Sequence, residues 1–530
     1  MFKMKACLLY LLPGLVWAAC TDLPTTVEDA IGEEIVEGTP PPITNPTAAL
    51  TGVYNQLREL RGVANTFALM EHPSDEMMGP TRGTDWSDFG VWRQLHAHTW
   101  DASHGQLLGS WNQLNTGVFR ATQLVDPRAA STALQVAQAR FLRAFFAFYV
   151  MDLFGQVPFR PADAPPAAIP DVMQRPEAFD FIVQDLRAAR PDLPILASGA
   201  DAGTASQEAV DFLLARLFLN RAVYTTSTPA SPSAGPYTFA PEDMDSVIAS
   251  VQRIIDNSYT GLSPYWDNFH WSNTTLSDEL VFVKSEEPAV DGNFTTFWWT
   301  LHYNNSPSGC CNGFVTLSDF YDLFETADVR RGAYIPEMTP RTGVFAGFLI
   351  GQQYDSFPGP VTPGTAGIGA LNDRGGNPLV FTREVDLFYS NERMGIRVLK
   401  YPFNPDSTQR DRAGTDFIFF RYADALLMKA EAHFRRGQTA EALTIVNQIR
   451  ATDPNNRGAS SLASITEQDL LDERGRELYW EGWRRHDLIR FGVFTPAWEA
   501  KPASGAHRVM FPIPQRALDT NPNLVQIAGY

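Results

Sequence analysis

Two linked segments near the C-terminal end, Arg421 to Arg450 and Thr466 to Phe491, limit most strongly what this chain can fold into. In RYADALLMKAEAHFRRGQTAEALTIVNQIR, Tyr422, Leu426 and Ala430 mark one face and Leu427, Ala430 and Phe434 the next, and Gly437 follows two basic residues. That is a helix with its stop signal. Ala442, Ile445, Val446 and Ile449 then recur at helical spacing, and Ala432 and Ala442 are small enough for the two axes to approach closely. The pair is a helical hairpin. Such a unit buries its apolar face only against neighbours, so the chain should hold more of them.

Ala-Glu-Ala before the Arg-Gly turn and Glu-Ala-Leu after it resemble a tetratricopeptide repeat, whose period is about 34 residues. The surrounding wording is more particular. RYADALLMKAEA, LLDERGRELYWEGWRRHDLIRFG and the terminal FPIPQRALDTNPNLVQIAGY resemble three signatures of the RagB/SusD family of outer-membrane nutrient-binding lipoproteins. AQARFLRAFFAFYVMDLFGQVPF at 137–159 and RPEAFDFIVQDLRAARPDLP at 175–194 match as well, and all five stand in the family's order. The stretch from about 225 to 415 carries little of the shared pattern. The resemblance implies a mainly α fold of tetratricopeptide-like hairpins, an α-α superhelix, with a loop-rich irregular lobe inserted at about 225–415. It also implies non-catalytic capture of a nutrient, most readily an oligosaccharide. The implied partner is a SusC-like, TonB-dependent outer-membrane transporter over which the protein sits as a lid.

Hydrophobic residues at 44% and charged residues at 19% describe a chain able to bury a large core, and residues 46–530 read as one repeat-built domain rather than several. The net charge is −18 with no basic block, which argues against nucleic acid and other polyanions as ligands.

The N-terminus bears on the compartment. Lys3 and Lys5 precede an apolar run from Ala6 to Ala19 that ends in small residues before Cys20. This fits a signal peptide over 1–19 and is shorter than the roughly 20 residues of a bilayer-spanning helix. Cys20 then reads as a lipidation site, and 20–45, rich in Pro, Thr and Glu, as an anchor and flexible tether. Trp17 departs from the Leu usual in a lipoprotein signal, which leaves cleavage by an ordinary signal peptidase open.

Helices are expected at about 45–61, 105–126, 131–154, 176–190, 206–224 and 242–257. The third is apolar nearly all round, with Phe141, Leu142, Phe145, Phe148, Tyr149 and Val150, so it belongs in the core. Between the first two lies a turn-rich aromatic stretch, EHPSDEMMGPTRGTDWSDFGVWRQLHAHTW, read as a long loop of the kind that carries function. Beyond about 257 the chain is irregular. ELVFVKS and FTREV read as short strands, with no sheet expected there.

Chemistry has no visible home in this sequence. Carboxylates stand in pairs at Asp75/Glu76, Asp278/Glu279 and Glu286/Glu287, but sequence adjacency says nothing about the separation of about 5 Å or 6.5–9.5 Å that a glycosidase requires. His96, His98 and His104 lack a carboxylate placed as a third ligand, so hydrogen bonding suits them better than metal binding. No cofactor is implied. Glu473, Glu477 and Glu481, four residues apart beside Arg474, Arg484 and Arg485, read as charge pairing along a packed helix, with Trp480, Trp483 and Leu488 as apolar anchors and Glu477 or Glu481 expected to be partly buried against an arginine in a structural role.

Cys310 and Cys311 have only each other once Cys7 leaves with the signal and Cys20 is lipidated. An oxidising compartment favours a bond. Adjacent Cα atoms, about 3.8 Å apart, sit below the roughly 4.4–6.8 Å that disulfides prefer. A vicinal ring and two free thiols both remain open.

Sugars present apolar C–H faces that stack on flat rings, while polar side chains bind their hydroxyls; pockets for small ligands commonly mix aromatic walls with a few polar groups. Two stretches have this chemistry. One holds Arg82, Asp85, Trp86 and Trp92; the other holds Trp298, Trp299, His302, Tyr303 and Asn304, and the second is preferred because it lies where the family pattern is weakest. Aromatics packed beneath a loop would read the same way. A peptide-binding member of the same family and a surface glycoside hydrolase are the competing functions.

Overall fold

Asn45 starts the first helix by accepting the Ala48 N–H at 3.1 Å, and Pro46 fills the first helical position, where its missing N–H goes unneeded. The structure, a computed structural model, describes residues 38–196, 201–257, 259, 261–286, 299–306, 310–355, 369–406, 414–453 and 455–530. The signal-peptide reading and Cys20 lie outside the described residues, as does Trp298. No helix among the described residues is long and apolar enough to cross a membrane.

Helices α1 (Pro46–Gln56), α2 (Thr66–Glu71) and α3 (Val91–His96) lead into α4 (Gly105–Val125), α5 (Ala133–Phe154), α6 (Arg175–Ala189), α7 (Gln207–Thr226) and α8 (Pro241–Asn257). Three single-turn helices follow, α9 (Asn273–Leu276), α10 (Ser318–Tyr321) and α11 (Thr339–Thr342). The chain closes with α12 (Tyr422–Arg435), α13 (Thr439–Asn447), α14 (Glu467–Leu478), α15 (Arg484–Arg490) and α16 (Gln515–Thr520). Each long helix packs on the next from α4 to α8; α8 then packs on α12, and α12 on α13. The mainly α fold of stacked hairpins expected from the sequence is what forms, and the irregular segment leaves the row after α8 and rejoins it at α12.

Helix α5 shows why the row holds. A reciprocal cap between Thr132 and Gln135 opens it, Gly155 at φ +72° closes it, and every residue from Phe141 to Phe154 is buried. The α12–α13 turn favours Gly437 through its left-handed φ of +75° alone, because a side chain there would meet only open space. The C-terminal signature docks on this frame: the Phe511 N–H reaches the Leu153 carbonyl at 2.7 Å, and Gln156 holds Val525 through both backbone groups.

Short antiparallel ladders thread the irregular segment, contrary to the expectation of no sheet. Strands β1 (Gln156–Phe159) and β2 (Asp171–Gln174) pair ahead of that segment, and β3 (Leu280–Lys284) within it pairs with β9 (Phe417–Arg421) at its far end. Between them β4 (Gly332–Ala333), β5 (Ala346–Leu349) and β8 (Arg397–Leu399) make a three-stranded sheet, and β6 (Gly351–Gln352) pairs with β7 (Val380–Phe381), all that forms of FTREV. Strands β3 and β9 are buried on both faces, so neither shows the alternation that marks a half-buried strand.

The segment 466–491 folds as two helices, α14 and α15. After Leu478 the backbone turns left-handed at Trp480 (φ +58°) and Gly482 (φ +82°). The amides freed by the break find buried acceptors in the early stretch: the Trp480 N–H donates to Glu76 at 2.9 Å and the Gly482 N–H to Glu71. That early stretch is likewise not all loop, since it contains the last residue of α2 and all of α3.

Glu477 sits at the centre of a buried ionic spine. It accepts from Arg457, Arg421 and Arg330, while Glu473 takes Arg330, Arg450 and Arg476, and Glu481 takes Arg421 and Lys400. Burial alone would raise the Glu477 carboxyl, yet the three guanidinium groups hold it well below the usual carboxylate range. A second group joins Arg216, Arg474 and Arg490 to Asp424, Asp487 and Glu431. Breaking one partner of such a buried pair typically costs about 3–5 kcal/mol.

Candidate functional site

The two aromatic stretches that the sequence sets in competition meet in space. Trp86 and Trp299 lie edge to face with ring centres 5.3 Å apart, and both pack on Phe314, which also meets Trp92 at 5.0 Å and His72 at 4.4 Å. Trp86 Nε1 donates to the Cys311 carbonyl at 2.7 Å. Gly313 is required where the backbone passes between the rings, because a Cβ there would stand 2.7 Å from the Trp299 carbonyl oxygen and collide with the Trp86 ring. Trp92 is buried, and Trp86 and Trp299 are half-buried. Beside them the Cys310 and Cys311 side chains lie against each other across a cis peptide bond.

A polar rim lies against this ring cluster. The Tyr303 hydroxyl donates to Asp85, and Arg374 donates to the same carboxylate at 2.9 Å while its backbone N–H reaches Glu392 at 2.9 Å. The Tyr303 hydrogen bond, with Arg374 behind it, holds Asp85 below its usual value. His302 is buried, which lowers its pKa and keeps it neutral; Nδ1 accepts the Asn304 N–H at 3.1 Å and Nε2 meets Glu392 at 3.0 Å. Asn304 is exposed and its amide donates to the Asn372 carbonyl at 2.8 Å. Arg82 is buried beneath the rim, donating to the carbonyls of Asn391, Met394 and Gly313.

Seven of the eight expected ligand residues thus fall within the described residues, and they gather in one place. Their exposure differs: Arg82 and His302 are interior supports, while Asp85, Trp86, Trp299 and Tyr303 are partly accessible and Asn304 fully so. Arg374 and Glu392 were missed. Both come from an irregular stretch with no periodicity, and folded contacts reveal them: their ion pair with each other, that of Arg374 with Asp85, and the meeting of Glu392 with His302.

Other candidate groups have plain structural partners. Asp75 is gripped by Arg484 at 2.6 and 2.7 Å; Glu279 accepts Arg457 at 3.0 Å and caps α12 through the Ala423 N–H; Glu286 pairs with Arg61. Glu287 lies outside the described residues. His96 bonds the carbonyls of Met77 and Glu499, His98 that of Pro73 and the Ser504 hydroxyl, and His104 the Val91 carbonyl. Among the described residues no three His, Cys, Asp or Glu converge as a metal site.

A stacked-hairpin scaffold thus presents a fixed ring cluster with a polar rim. The SusD family model matches residues 387–530. The chain is 27% identical over 504 residues to the starch-binding protein SusD of Bacteroides thetaiotaomicron, covering 88% of this chain and 85% of that one. Its fold matches a SusD superfamily protein from Parabacteroides distasonis with a TM-score of 0.69 at 18% identity, over 92% of this chain and 98% of that one. Surface glycan-binding protein A from Bacteroides thetaiotaomicron, solved with laminarihexaose, gives 0.62 at 18% identity over 91% and 98%. Over residues 387–530 the chain resembles the SusD family, and over most of its length it is similar to SusD and shares the fold of SusD-like proteins.

Proposed function

We propose that this protein captures an extracellular oligosaccharide, leaves it intact, and passes it to a SusC-like TonB-dependent transporter in the outer membrane. The observation that carries the reading is the junction of Trp86, Trp299 and Tyr303 with Asp85, Arg374 and Glu392: flat rings beside fixed donors and acceptors suit a sugar's C–H faces and hydroxyls. Relatives named for starch binding and solved with laminarihexaose support the ligand class. His302 has both ring nitrogens engaged, and Asp75, Glu76, Glu279 and Glu286 are taken up by ion pairs and backbone N–H groups, which favours binding over hydrolysis.

A surface position follows from the Lys3 to Cys20 pattern, with Cys20 as the lipid-bearing residue. Cys20→Ala is expected to release the protein from outer-membrane fractions; retention in a strain lacking the transporter would remove this anchor from the account. The ligand class is tested on an array bearing glycans and peptides side by side. Glycan binding supports the reading, and binding of peptides alone transfers the site to the peptide-capturing alternative.

A further inference from the structure

Beside the ring cluster, three aromatic side chains stand in solvent. Phe89 is 105% exposed, Tyr389 85% and Phe388 54%. The backbone holds them there. Phe89 sits between Asp88 and Gly90 in a left-handed run with φ of +32°, +54° and +84°, a conformation that bulky side chains rarely adopt. Opposite, Asp386 Oδ1 accepts the N–H groups of both Phe388 (2.7 Å) and Tyr389 (2.8 Å), and Ser390 closes the same turn onto Asp386. This turn is therefore fixed before any ligand arrives, which lowers the ordering cost of binding.

The two displays adjoin. Thr81 bonds the Leu387 carbonyl at 3.0 Å and the Ser390 N–H at 3.1 Å, tying the turn to the early stretch. Arg93 donates to the Thr81 hydroxyl and lies 5.3 Å from the centre of the Phe388 ring; a side chain added at Gly90, next to Phe89, would come within 3.3 Å of the same guanidinium. The stretch that carries Phe388 and Tyr389 also supplies Glu392, so the exposed rings continue the polar rim of the candidate site.

We propose that Phe89, Phe388 and Tyr389 form an outer stacking platform on which successive pyranose faces lie, with Arg93 between the rings as a hydroxyl donor. The inference rests on the glycan-binding reading and extends it to residues outside the ring cluster. Composition selects this occupant. The large apolar groups exposed in 81–93 and 386–394 are all flat rings, set among charged and amide side chains, whereas the core of a protein interface is a contiguous desolvated patch. Extended glycans offer alternating C–H faces and hydroxyls to match.

The test uses full-length protein purified in detergent. An array carrying starch, laminarin, xylan, mannan and pectin oligosaccharides identifies the tightest ligand, which is then titrated calorimetrically against the Phe89→Ala/Phe388→Ala/Tyr389→Ala variant. All three residues are at the surface, so the variant is expected to melt with wild type. The platform predicts a loss of thirtyfold or more, as for a removed anchor at a binding surface, with Tyr389→Phe binding within threefold of wild type. Wild-type affinity in the triple variant overturns the platform and leaves the glycan reading standing. Failure of the wild-type protein to bind any arrayed glycan overturns both.

Discussion

The guanidinium of Arg374 lies 4.2 Å from the centre of the Tyr303 ring while donating to Asp85 at 2.9 Å and to Glu392. One exposed side chain thereby fastens three loops around the candidate site. Exposed ion pairs contribute only about 0–1 kcal/mol to stability, so Arg374→Ala is expected to melt close to wild type. Its glycan affinity is expected to fall about tenfold, near the scale of one charge-assisted hydrogen bond of about 1.5 kcal/mol. Parallel calorimetric titration and thermal melting check both statements; an affinity unchanged by the substitution contradicts the role assigned to the rim.

Trp299 and Trp298 should respond differently to truncation. Trp299 packs on Trp86 and Phe314, so Trp299→Ala is expected to lose about 3 kcal/mol of stability, at the lower end for a large aromatic removed from a packed site. Both variants are expected to weaken glycan binding, Trp299→Ala because it removes a ring of the candidate site and Trp298→Ala with stability unchanged, since successive side chains of an extended segment alternate. Urea unfolding separates the two, and equal stability losses contradict the division.

Much of the helical frame was legible because its signals are local. Helix α5 announces itself by an unbroken apolar run, and the α12–α13 hairpin by its face pattern and Gly437. The break at Trp480 was not legible, since its acceptors Glu76 and Glu71 stand 404 and 411 residues away in the chain. The site divides in the same way. Ring-rich stretches can be seen in the sequence, whereas the contact of Trp86 with Trp299 and the Arg374 link to Asp85, across 289 residues, exist only after folding. The spacing of Glu473, Glu477 and Glu481 predicts charge pairing with partial burial, and all three are buried, with every one of their guanidinium partners but Arg476 coming from another element.

The ionic spine predicts a steep acid limb. Burial opposes ionisation, but Arg330, Arg476 and Arg450 lower the Glu473 pKa to about 2, against an ordinary value near 4.5. The folded state then binds protons more weakly than the unfolded chain between those values. Stabilisation from this carboxylate is complete above about pH 4.5 and is lost as the pH falls towards 2. Circular dichroism against pH should show the wild-type protein losing stability across that window. Glu473→Gln should be weaker by about 3 kcal/mol at pH 7, as for a broken buried pair, with a shallower acid dependence; equal acid slopes would remove Glu473 from the spine.

Glu71 carries the opposite sign. Burial raises its pKa to about 7, helped by the neighbouring Glu481 charge and opposed by its hydrogen bonds with Glu76 and the Gly482 N–H and by the Lys400 charge. The folded state retains a proton that the unfolded chain releases near pH 4.5, so this group's contribution falls as the pH rises from about 4.5 to 7. Glu71→Gln keeps an uncharged side chain and an acceptor for Gly482. Its urea midpoint is expected to change less than that of wild type between pH 5 and pH 8, and an identical pH response would contradict the retained proton.

Capture without cleavage is tested most directly by recovering the ligand. Full-length protein is titrated with its best-bound oligosaccharide from the array, held with it through prolonged incubation, and the sugar is then analysed by chromatography beside a heat-killed control. The account predicts saturable binding and an oligosaccharide returned at its original length. New reducing ends above the control would contradict it.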